Sequence, residues 1–159
     1  MNITIICVGK NKENFYREAL AEYVKRLSKY CKLNIIEVAD EQTPDGASDA
    51  VNRGILATEG ERILGKIPEG AYVIATAIEG KTYSSEEFAE LIDDMAVRGV
   101  SHLCFIIGGS LGLSDEVKKR ADLLLSFSKM TFPHGLMRVI LAEQIYRAFR
   151  IIRNEPYHK

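Results

Sequence analysis

Short apolar runs alternate with helix-length segments along the whole chain, and this alternation constrains the fold more than any other sequence feature. The apolar runs have the length and composition of buried strands. Strands that are separated by helices predict an α/β fold, with a mainly parallel sheet that helices cover on both faces. A chain of 159 residues is long enough for one domain with a single core, residues 1–159. The predicted strands are residues 3–8, 33–38, 72–77, 102–107 and 122–127.

Between the strands, apolar residues recur at helical spacing. Ser84, with Glu87 three residues later, forms a capping-box pattern that predicts a helix start, and Gly99 marks the end of that helix. Ser114 predicts the N-cap of a short helix at residues 115–121. The other predicted helices cover residues 13–31, 50–64 and 136–153.

The net charge of −1 hides an uneven distribution of charge along the chain. Residues 1–32 carry seven basic against three acidic side chains, and residues 98–159 carry ten against five. Residues 33–97, in contrast, carry four basic against fourteen acidic side chains. Basic ends around an acidic middle favour a cationic face that contacts nucleic acid. Scattered, solvated helix faces would give the same distribution, so charge alone leaves both interpretations open.

The three cysteines, Cys7, Cys31 and Cys104, are odd in number and lack the CxxC spacing of metal sites. They predict free thiols in a reducing compartment, without a disulfide framework, a zinc site or any other bound metal. No signal-peptide pattern precedes the first strand, and no apolar run approaches the roughly 20 residues that cross a bilayer. We therefore expect a cytoplasmic protein without membrane attachment.

Ligands of open α/β sheets bind beyond the carboxyl ends of the strands, and three of these ends are unusual: residues 76–80, 108–112 and 127–135. Glycines in the second segment allow a ligand to approach the backbone closely. This segment has neither the GxGxxG nor the Walker pattern, and Asp115 and Glu116 behind it would repel a phosphate. It suits a nucleoside-type ligand that backbone groups hold, or simply a tight turn. The third segment is polar and aromatic, and predicts either a ligand wall or a rigid elbow.

The C-terminal helix has apolar residues around nearly its whole circumference. Such a helix either threads deeply into its own domain or packs against a second subunit, and we expect a homodimer. Arg147, Arg150 and Arg153 lie on one arc of this helix. The tail after it contains Tyr157 and His158, and a histidine can move protons near neutral pH.

The stretch GGSLGLSDEVKKRADLLLSFSKMTFPHGLMRVILAEQIYRAFRIIRNEPYHK resembles the C-terminal half of the SPOUT-class ribosomal RNA large subunit methyltransferase H family. The segments ITIICVGK, EYVKRL and GKTYSSEEFA also resemble this family, so that the resemblance covers essentially the whole chain. It implies methylation of N3 of a pseudouridine in a 23S ribosomal RNA hairpin, with S-adenosyl-L-methionine as methyl donor. It also implies a homodimer and a deep trefoil knot near the C-terminus that holds the cofactor.

Position by position, the resemblance also implies the site residues. The family usually has an aliphatic residue where this chain has Thr76. Tyr157 and His158 match the family's terminal Tyr-His pair, which approaches the target base in the partner's site. The implied cofactor-binding residues are Thr76, Gly108, Phe127, Ser128, Lys129, Met130, Thr131 and Phe132.

N3 of pseudouridine must lose its proton on or before methyl transfer. The hypothesis is that His158, oriented by Tyr157, is the general base or shapes the base pocket. Glu143 is a second candidate base, or else an ion-pair partner of Arg147 one turn along the helix. Three arginines are predicted to hold RNA phosphates: Arg138, Arg150 and Arg153. One small domain offers little area to recognise an RNA sequence, so we expect it to act on the assembled ribosome.

Three other functions remain possible at this point. A knotted methyltransferase that acts on transfer RNA would have the same cofactor loops, although the PYHK tail favours the ribosomal enzyme. A non-catalytic ribosome-binding or assembly factor would bind no S-adenosyl-L-methionine. A flavodoxin-like nucleotide-binding module is disfavoured by the acidic helix start that follows residue 112.

Overall fold

The computed structural model describes residues 1–159 and contains five strands and five helices in the predicted order. The strands are β1 (Asn2–Val8), β2 (Lys32–Val38), β3 (Tyr72–Thr82), β4 (His102–Ile107) and β5 (Leu123–Ser126). The helices are α1 (Asn14–Leu27), α2 (Asp49–Leu64), α3 (Ser85–Val97), α4 (Asp115–Arg120) and α5 (His134–Ile152).

All five strands form one parallel sheet in the order β2-β1-β4-β3-β5, which confirms the predicted α/β fold. β1 and β4 lie at its centre, and their apolar side chains are almost completely buried on both faces. α1, α3 and α5 cover one face, where α5 packs against both α1 and α3. α2 and α4 cover the other face. The carboxyl ends of β1, β3, β4 and β5 therefore lie at the same edge of the sheet.

The local signals for helix ends are present in the structure. The Ser84 hydroxyl accepts a hydrogen bond from the Glu87 amide, and the Glu87 carboxylate accepts one from the Ser84 amide, which completes the capping box. Ser114 caps α4 through the Val117 amide. Gly99 follows α3 with a φ of 83°, a left-handed conformation that favours glycine.

β3 extends further than the sequence predicts. Instead of ending near residue 77, it continues to Thr82 through a register shift against β5 between Thr76 and Lys81. The bulge lets β3 bend and then pair again with β5. At Gly80 a Cβ atom would lie only 2.7 Å from the backbone carbon of Leu124. A close crossing of two backbone segments explains why glycine occurs inside this strand.

Arg138 corrects a prediction from the sequence. Its side chain is 1% exposed, and its Nη1 donates to Glu37 Oε2 at 2.6 Å. Its Nη2 donates to the carbonyls of Val8 (3.1 Å) and Gly9 (2.8 Å) at the carboxyl end of β1. The prediction that Arg138 holds an RNA phosphate is wrong, because its guanidinium is buried and bound within the fold.

The domain itself covers much of the apolar surface of α5. The side chains that α5 buries inside the chain are Met137, Leu141, Ala142, Ile145, Tyr146, Ala148 and Phe149. A second row on α5 stays half-buried: Leu136, Val139, Ile140, Ile151 and Ile152. Of the two explanations for the apolar helix, threading into its own domain accounts for the first group.

Cys7 and Cys104 lie in the core strands and form no disulfide. Burial raises the pKa of each thiol to about 12, so both stay protonated and act as packing residues. None of the helices has the length and hydropathy that a membrane span requires.

We predict that Arg138→Leu destabilises the fold by about 3 kcal/mol, because it leaves Glu37 and two buried carbonyls without their partner. Urea unfolding measures this difference. Arg53→Leu is the control, since Arg53 is exposed on α2 and its loss should change the free energy of unfolding by less than about 0.5 kcal/mol. Equal unfolding free energies for the two variants would contradict the anchoring role of Arg138.

Candidate functional site

A cavity of about 720 Å³ opens at the carboxyl ends of β3, β4 and β5. Its walls come from the three segments that the sequence singled out. They are residues 76–79 in the extended part of β3, residues 108–113 after β4, and residues 127, 128 and 130–134 between β5 and α5. Ile107 of β4, Lys118 of α4, Leu125 of β5 and Met137 of α5 complete the wall. The parallel topology thus brings together segments that are far apart in sequence.

Seven of the eight predicted cofactor-binding residues line this cavity, and Lys129 does not, since its exposed side chain lies off the wall. Several wall residues, among them Glu79, Lys118 and His134, are not among the predicted cofactor-binding residues. Glu79 and His134 lie within the segments 76–80 and 127–135 that the sequence had singled out. Lys118 had no such signal, because it comes from a helix that looks like any solvated helix. The seven predicted wall residues are Thr76, Gly108, Phe127, Ser128, Met130, Thr131 and Phe132.

Glycine is required in the loop after β4. A Cβ atom at Gly108 would lie 2.5 Å from the carbonyl oxygen of Gly112, and Gly112 has a φ of 85°. The Gly112 amide donates to the Gly109 carbonyl at 3.0 Å, which closes the turn. The loop is therefore a tight turn and a cavity wall at once, and at its glycines only the backbone can face the cavity.

Thr76 fits a position where a small apolar contact is needed. Its hydroxyl donates to the carbonyl of Ile106 on the neighbouring strand at 3.0 Å. The hydrogen bond of the hydroxyl is therefore made within the sheet. The main chain and the methyl group of Thr76 remain available to contact a ligand. This explains how threonine can replace an aliphatic residue here.

The segment between β5 and α5 is both a wall and an elbow. The Ser128 hydroxyl accepts from the Met130 amide at 3.0 Å, and the Ser126 hydroxyl donates to the Ser128 carbonyl at 3.2 Å. Pro133, with a φ of −54°, is the N-cap of α5 and turns the chain into the helix. Met130 is 74% exposed at the rim of the cavity.

The cavity has paired charges. Lys118 Nζ lies 2.6 Å from Glu79 Oε1, and this contact holds the pKa of the Glu79 carboxyl below its usual range. Behind the glycine loop, the buried Glu59 accepts a hydrogen bond from the Glu41 amide at 2.9 Å, and burial raises the pKa of Glu59. Because the two wall charges offset each other, the cavity offers no cationic cradle for a phosphate.

The C-terminal tail lies against α3 and α5 of its own chain. The Tyr157 hydroxyl donates to Glu143 Oε1 at 3.0 Å, and its ring packs edge-on against Tyr146 at 4.9 Å between centroids. Burial, together with the bond to Glu143, raises the pKa of Tyr157 well above its usual range. Arg147 also forms an ion pair with Glu143 at 2.5 Å, which is the second of the two roles predicted for Glu143.

His158 bridges two charged side chains. Its Nδ1 lies 3.1 Å from Arg147 Nη1, and its Nε2 lies 2.7 Å from Glu86 Oε1. Arginine cannot accept a hydrogen bond, so Nδ1 must be the acceptor. Nε2 therefore carries the hydrogen and donates it in a hydrogen bond to Glu86. Neither Tyr157 nor His158 lines the cavity, so a single chain does not bring the predicted catalytic pair to the predicted cofactor residues.

The two remaining predicted RNA-binding arginines differ in their surroundings. Arg150 donates to Glu155 Oε2 (2.6 Å), to the Tyr30 hydroxyl (3.1 Å) and to the carbonyl of Pro156 (2.7 Å), and so holds the tail. Arg153 is exposed, with its guanidinium carbon 4.7 Å from the centroid of the Tyr30 ring. Of the three predicted arginines, only Arg153 is both exposed and without an ion pair.

Comparison with known proteins assigns this architecture to a family. A family model described as "Predicted SPOUT methyltransferase" matches residues 1–158. Proteins called ribosomal RNA large subunit methyltransferase H are similar over the full length of both chains. The protein from Bifidobacterium adolescentis is 62% identical over 159 residues, and those from Clostridioides difficile and Clostridium acetobutylicum are 61% and 59% identical. The chain therefore belongs to the SPOUT methyltransferases, in the ribosomal RNA large subunit methyltransferase H family.

Proposed function

We propose that this protein uses S-adenosyl-L-methionine to methylate N3 of a pseudouridine in 23S ribosomal RNA, within the assembled ribosome. Family membership supports the methyl transfer to large-subunit ribosomal RNA. The observation that carries the proposal is the cavity at the ends of β3, β4 and β5, whose wall contains the glycine loop. A ribosomal substrate also supports a cytoplasmic location.

The cavity residues fit S-adenosyl-L-methionine. The volume of about 720 Å³ is in the range of small-molecule sites, and ten of the 21 wall residues are hydrophobic. A nucleoside with an amino-acid tail needs apolar contacts for its adenine and backbone groups for its polar atoms. The turn after β4 supplies such backbone groups, because Gly108 has no side chain to hold a ligand away.

When bound, S-adenosyl-L-methionine supplies a methyl group on a positively charged sulfur, so that the carbon–sulfur bond breaks as the bond to N3 forms. The protein must then orient the two reacting groups and accept the N3 proton. Thr76, Gly108 and Phe132 would orient the donor from three sides of the cavity. Lys118 and Glu79 close one side of the cavity with an ion pair whose two charges offset each other.

His158, oriented by Tyr157, is the proposed base for the N3 proton. In the single chain the Nδ1 lone pair of His158 accepts from Arg147, so that a base role requires the histidine to exchange this contact for the substrate. Tyr157 stays protonated near neutral pH, because its pKa is raised, and can donate a hydrogen bond but not take up the proton. Glu143 is committed to Arg147 and Tyr157, which favours His158 over Glu143.

A homodimer would place the tail of one subunit at the cavity of the other. The separation of the tail residues from the cavity within one chain supports this arrangement. The half-buried apolar row of α5 and the 62% exposed Phe15 of α1 offer surface for a second subunit. Closed two-fold contacts are the usual form of such dimers.

RNA contact is proposed for Arg153, whose guanidinium is exposed next to the tail. Arg150 would contribute indirectly, since it holds Glu155 and the carbonyl of Pro156 and thereby fixes the tail. One exposed arginine near the site gives weak affinity for naked RNA. Recognition therefore depends on the shape of the assembled particle.

We predict that Gly108→Ala lowers the affinity for S-adenosyl-L-methionine by roughly tenfold to a hundredfold, because the added carbon displaces the Gly112 carbonyl and with it the cavity wall. Calorimetric titration measures the affinity, and thermal unfolding shows that the variant is folded. Gly54→Ala is the matched control: this glycine lies in α2 with nothing within 4 Å of an added carbon, and the variant should bind like the wild type. Unchanged binding by folded Gly108→Ala would place the cofactor elsewhere.

We predict that the protein transfers methyl groups to ribosomes that lack the modification and leaves a short free RNA hairpin of the same sequence unmodified. Mass spectrometry of digested nucleosides identifies 3-methylpseudouridine as the product. Equal rates on ribosome and hairpin would contradict recognition of the assembled particle. Methyl groups found only in transfer RNA, or in no RNA, would refute the proposed substrate.

We predict that His158→Ala reduces methyl transfer to ribosomes by about 10²- to 10⁴-fold, the range for loss of a general base, with unchanged affinity for S-adenosyl-L-methionine. Lys159→Ala, one residue further along the exposed end of the tail, should keep the wild-type rate. Initial rates with isotopically labelled donor provide the measurement. Wild-type turnover by His158→Ala would remove this histidine from the mechanism.

A further inference from the structure

A second, smaller cavity of about 200 Å³ adjoins the first one. It lies between the start of α3, the end of β5 and the middle of α5. Leu125 and Phe127 line both cavities, so groups bound in the two would contact the same side chains. The residues around the smaller cavity are Tyr83, Ser84, Ser85, Phe88, Leu125, Ser126, Phe127, Ile140 and Gln144.

The walls of this cavity suit a flat, uncharged ring. Five of the nine wall residues are hydrophobic, three of them aromatic, and no wall residue is charged. Phe88 is buried and packs against Phe105 at 6.1 Å between ring centroids, so one aromatic wall is fixed by the core. A phosphate would find no cation here, whereas a nucleobase would find aromatic surface for stacking.

Gln144 has the one side-chain amide in the wall, and this amide has unused hydrogen-bonding capacity. The Ser126 hydroxyl donates to the Ser128 carbonyl, and the Ser84 hydroxyl caps α3. The Ser85 hydroxyl donates to Gln144 Oε1 at 2.8 Å, and Gln144 Nε2 donates to Glu143 Oε2 at 2.9 Å. The Glu143 carboxylate can only accept a hydrogen bond, so the Gln144 side-chain nitrogen, and not its oxygen, must face it. Gln144 keeps one N–H donor and one oxygen lone pair free.

We propose that the smaller cavity takes the acceptor base and that Gln144 recognises the N1–H and C2 carbonyl edge of pseudouridine. The proposal rests on the function proposed above. This edge has one donor next to one acceptor, which complements the free acceptor and donor of the amide. Uridine lacks the edge, because its N1 is bonded to the ribose. N3 lies on the far side of C2 and stays free for methylation.

The same hydrogen bonds connect this cavity to the tail. Glu143 holds Gln144 through Oε2 and holds Tyr157 and Arg147 through Oε1. Its carboxylate lies between the end of the chain and the wall of the base cavity. The amide that contacts the base is thus oriented from two sides, by Ser85 of α3 and by Glu143 of α5.

The test compares two substrates: ribosomes that carry pseudouridine at the target position and ribosomes from cells without the pseudouridine synthase, which carry uridine there. For Gln144→Met, a substitution of similar size, we expect the pseudouridine-to-uridine ratio of kcat/KM to fall roughly tenfold to a hundredfold. The fall should come from the pseudouridine substrate, with the uridine rate and the affinity for S-adenosyl-L-methionine within about twofold of wild type.

Gln42→Met is the matched control, since Gln42 is exposed in the loop before α2, and it should keep the wild-type ratio. A wild-type ratio in Gln144→Met, or a wild-type enzyme that methylates both substrates equally, overturns the role of Gln144 and leaves the proposed function standing. A wild-type protein that methylates neither substrate overturns both. If Gln144→Met does not fold, Ser85→Ala tests the same point: it frees Gln144 Oε1 and should lower the ratio several-fold, and an unchanged ratio overturns the proposal.

Discussion

The site depends on one buried charge, the guanidinium of Arg138. Arg138 belongs to the second turn of α5, yet it donates to Glu37 on β2 and to the carbonyls of Val8 and Gly9 at the end of β1. A buried charge is tolerated only where its partners are in place, so these contacts fix where α5 begins relative to the sheet. The segment that lines the cavity runs from β5 to α5 and is thereby held at both ends. The segment between β5 and α5 has no regular secondary structure, and the contacts of Arg138 hold it in place.

The second constraint is the lack of side chains where backbone segments cross. Gly80 of β3 lies against the backbone of Leu124, and Gly108 lies against that of Gly112. Family membership implies a C-terminal trefoil knot, and such a topology requires segments to pass one another at backbone distance. Of these two glycines, Gly108 also lines the cavity, where it leaves the backbone open to a ligand. Glycine therefore serves both the chain topology and the shape of the cavity wall.

The sequence predicted those parts of the fold that local signals control. β4 has the predicted bounds, and Ser84 with Glu87 forms the predicted capping box, because strand burial and helix capping depend on neighbouring residues. Prediction from the sequence failed where the structure of a residue depends on contacts with distant segments of the chain. The extension of β3 depends on its second pairing with β5, and the burial of Arg138 depends on Glu37, 101 positions away. An arginine on an amphipathic helix has the same local pattern whether it faces solvent or the end of a strand.

The structure changes how effects of the tail should be interpreted. His158 is held by Glu86 and Arg147, and Tyr157 by Glu143, all within one chain. Glu143 also orients Gln144 at the smaller cavity. Loss of the Tyr157 hydroxyl would therefore disturb the base cavity of its own subunit as well as any site that the tail completes in a partner. Under the proposed roles the two effects differ in kind: a displaced Gln144 would weaken discrimination between bases, whereas loss of the proton acceptor would slow transfer to every base alike. Because Arg147 contacts both Glu143 and His158, it couples the two effects, and substitutions of these residues should not be additive.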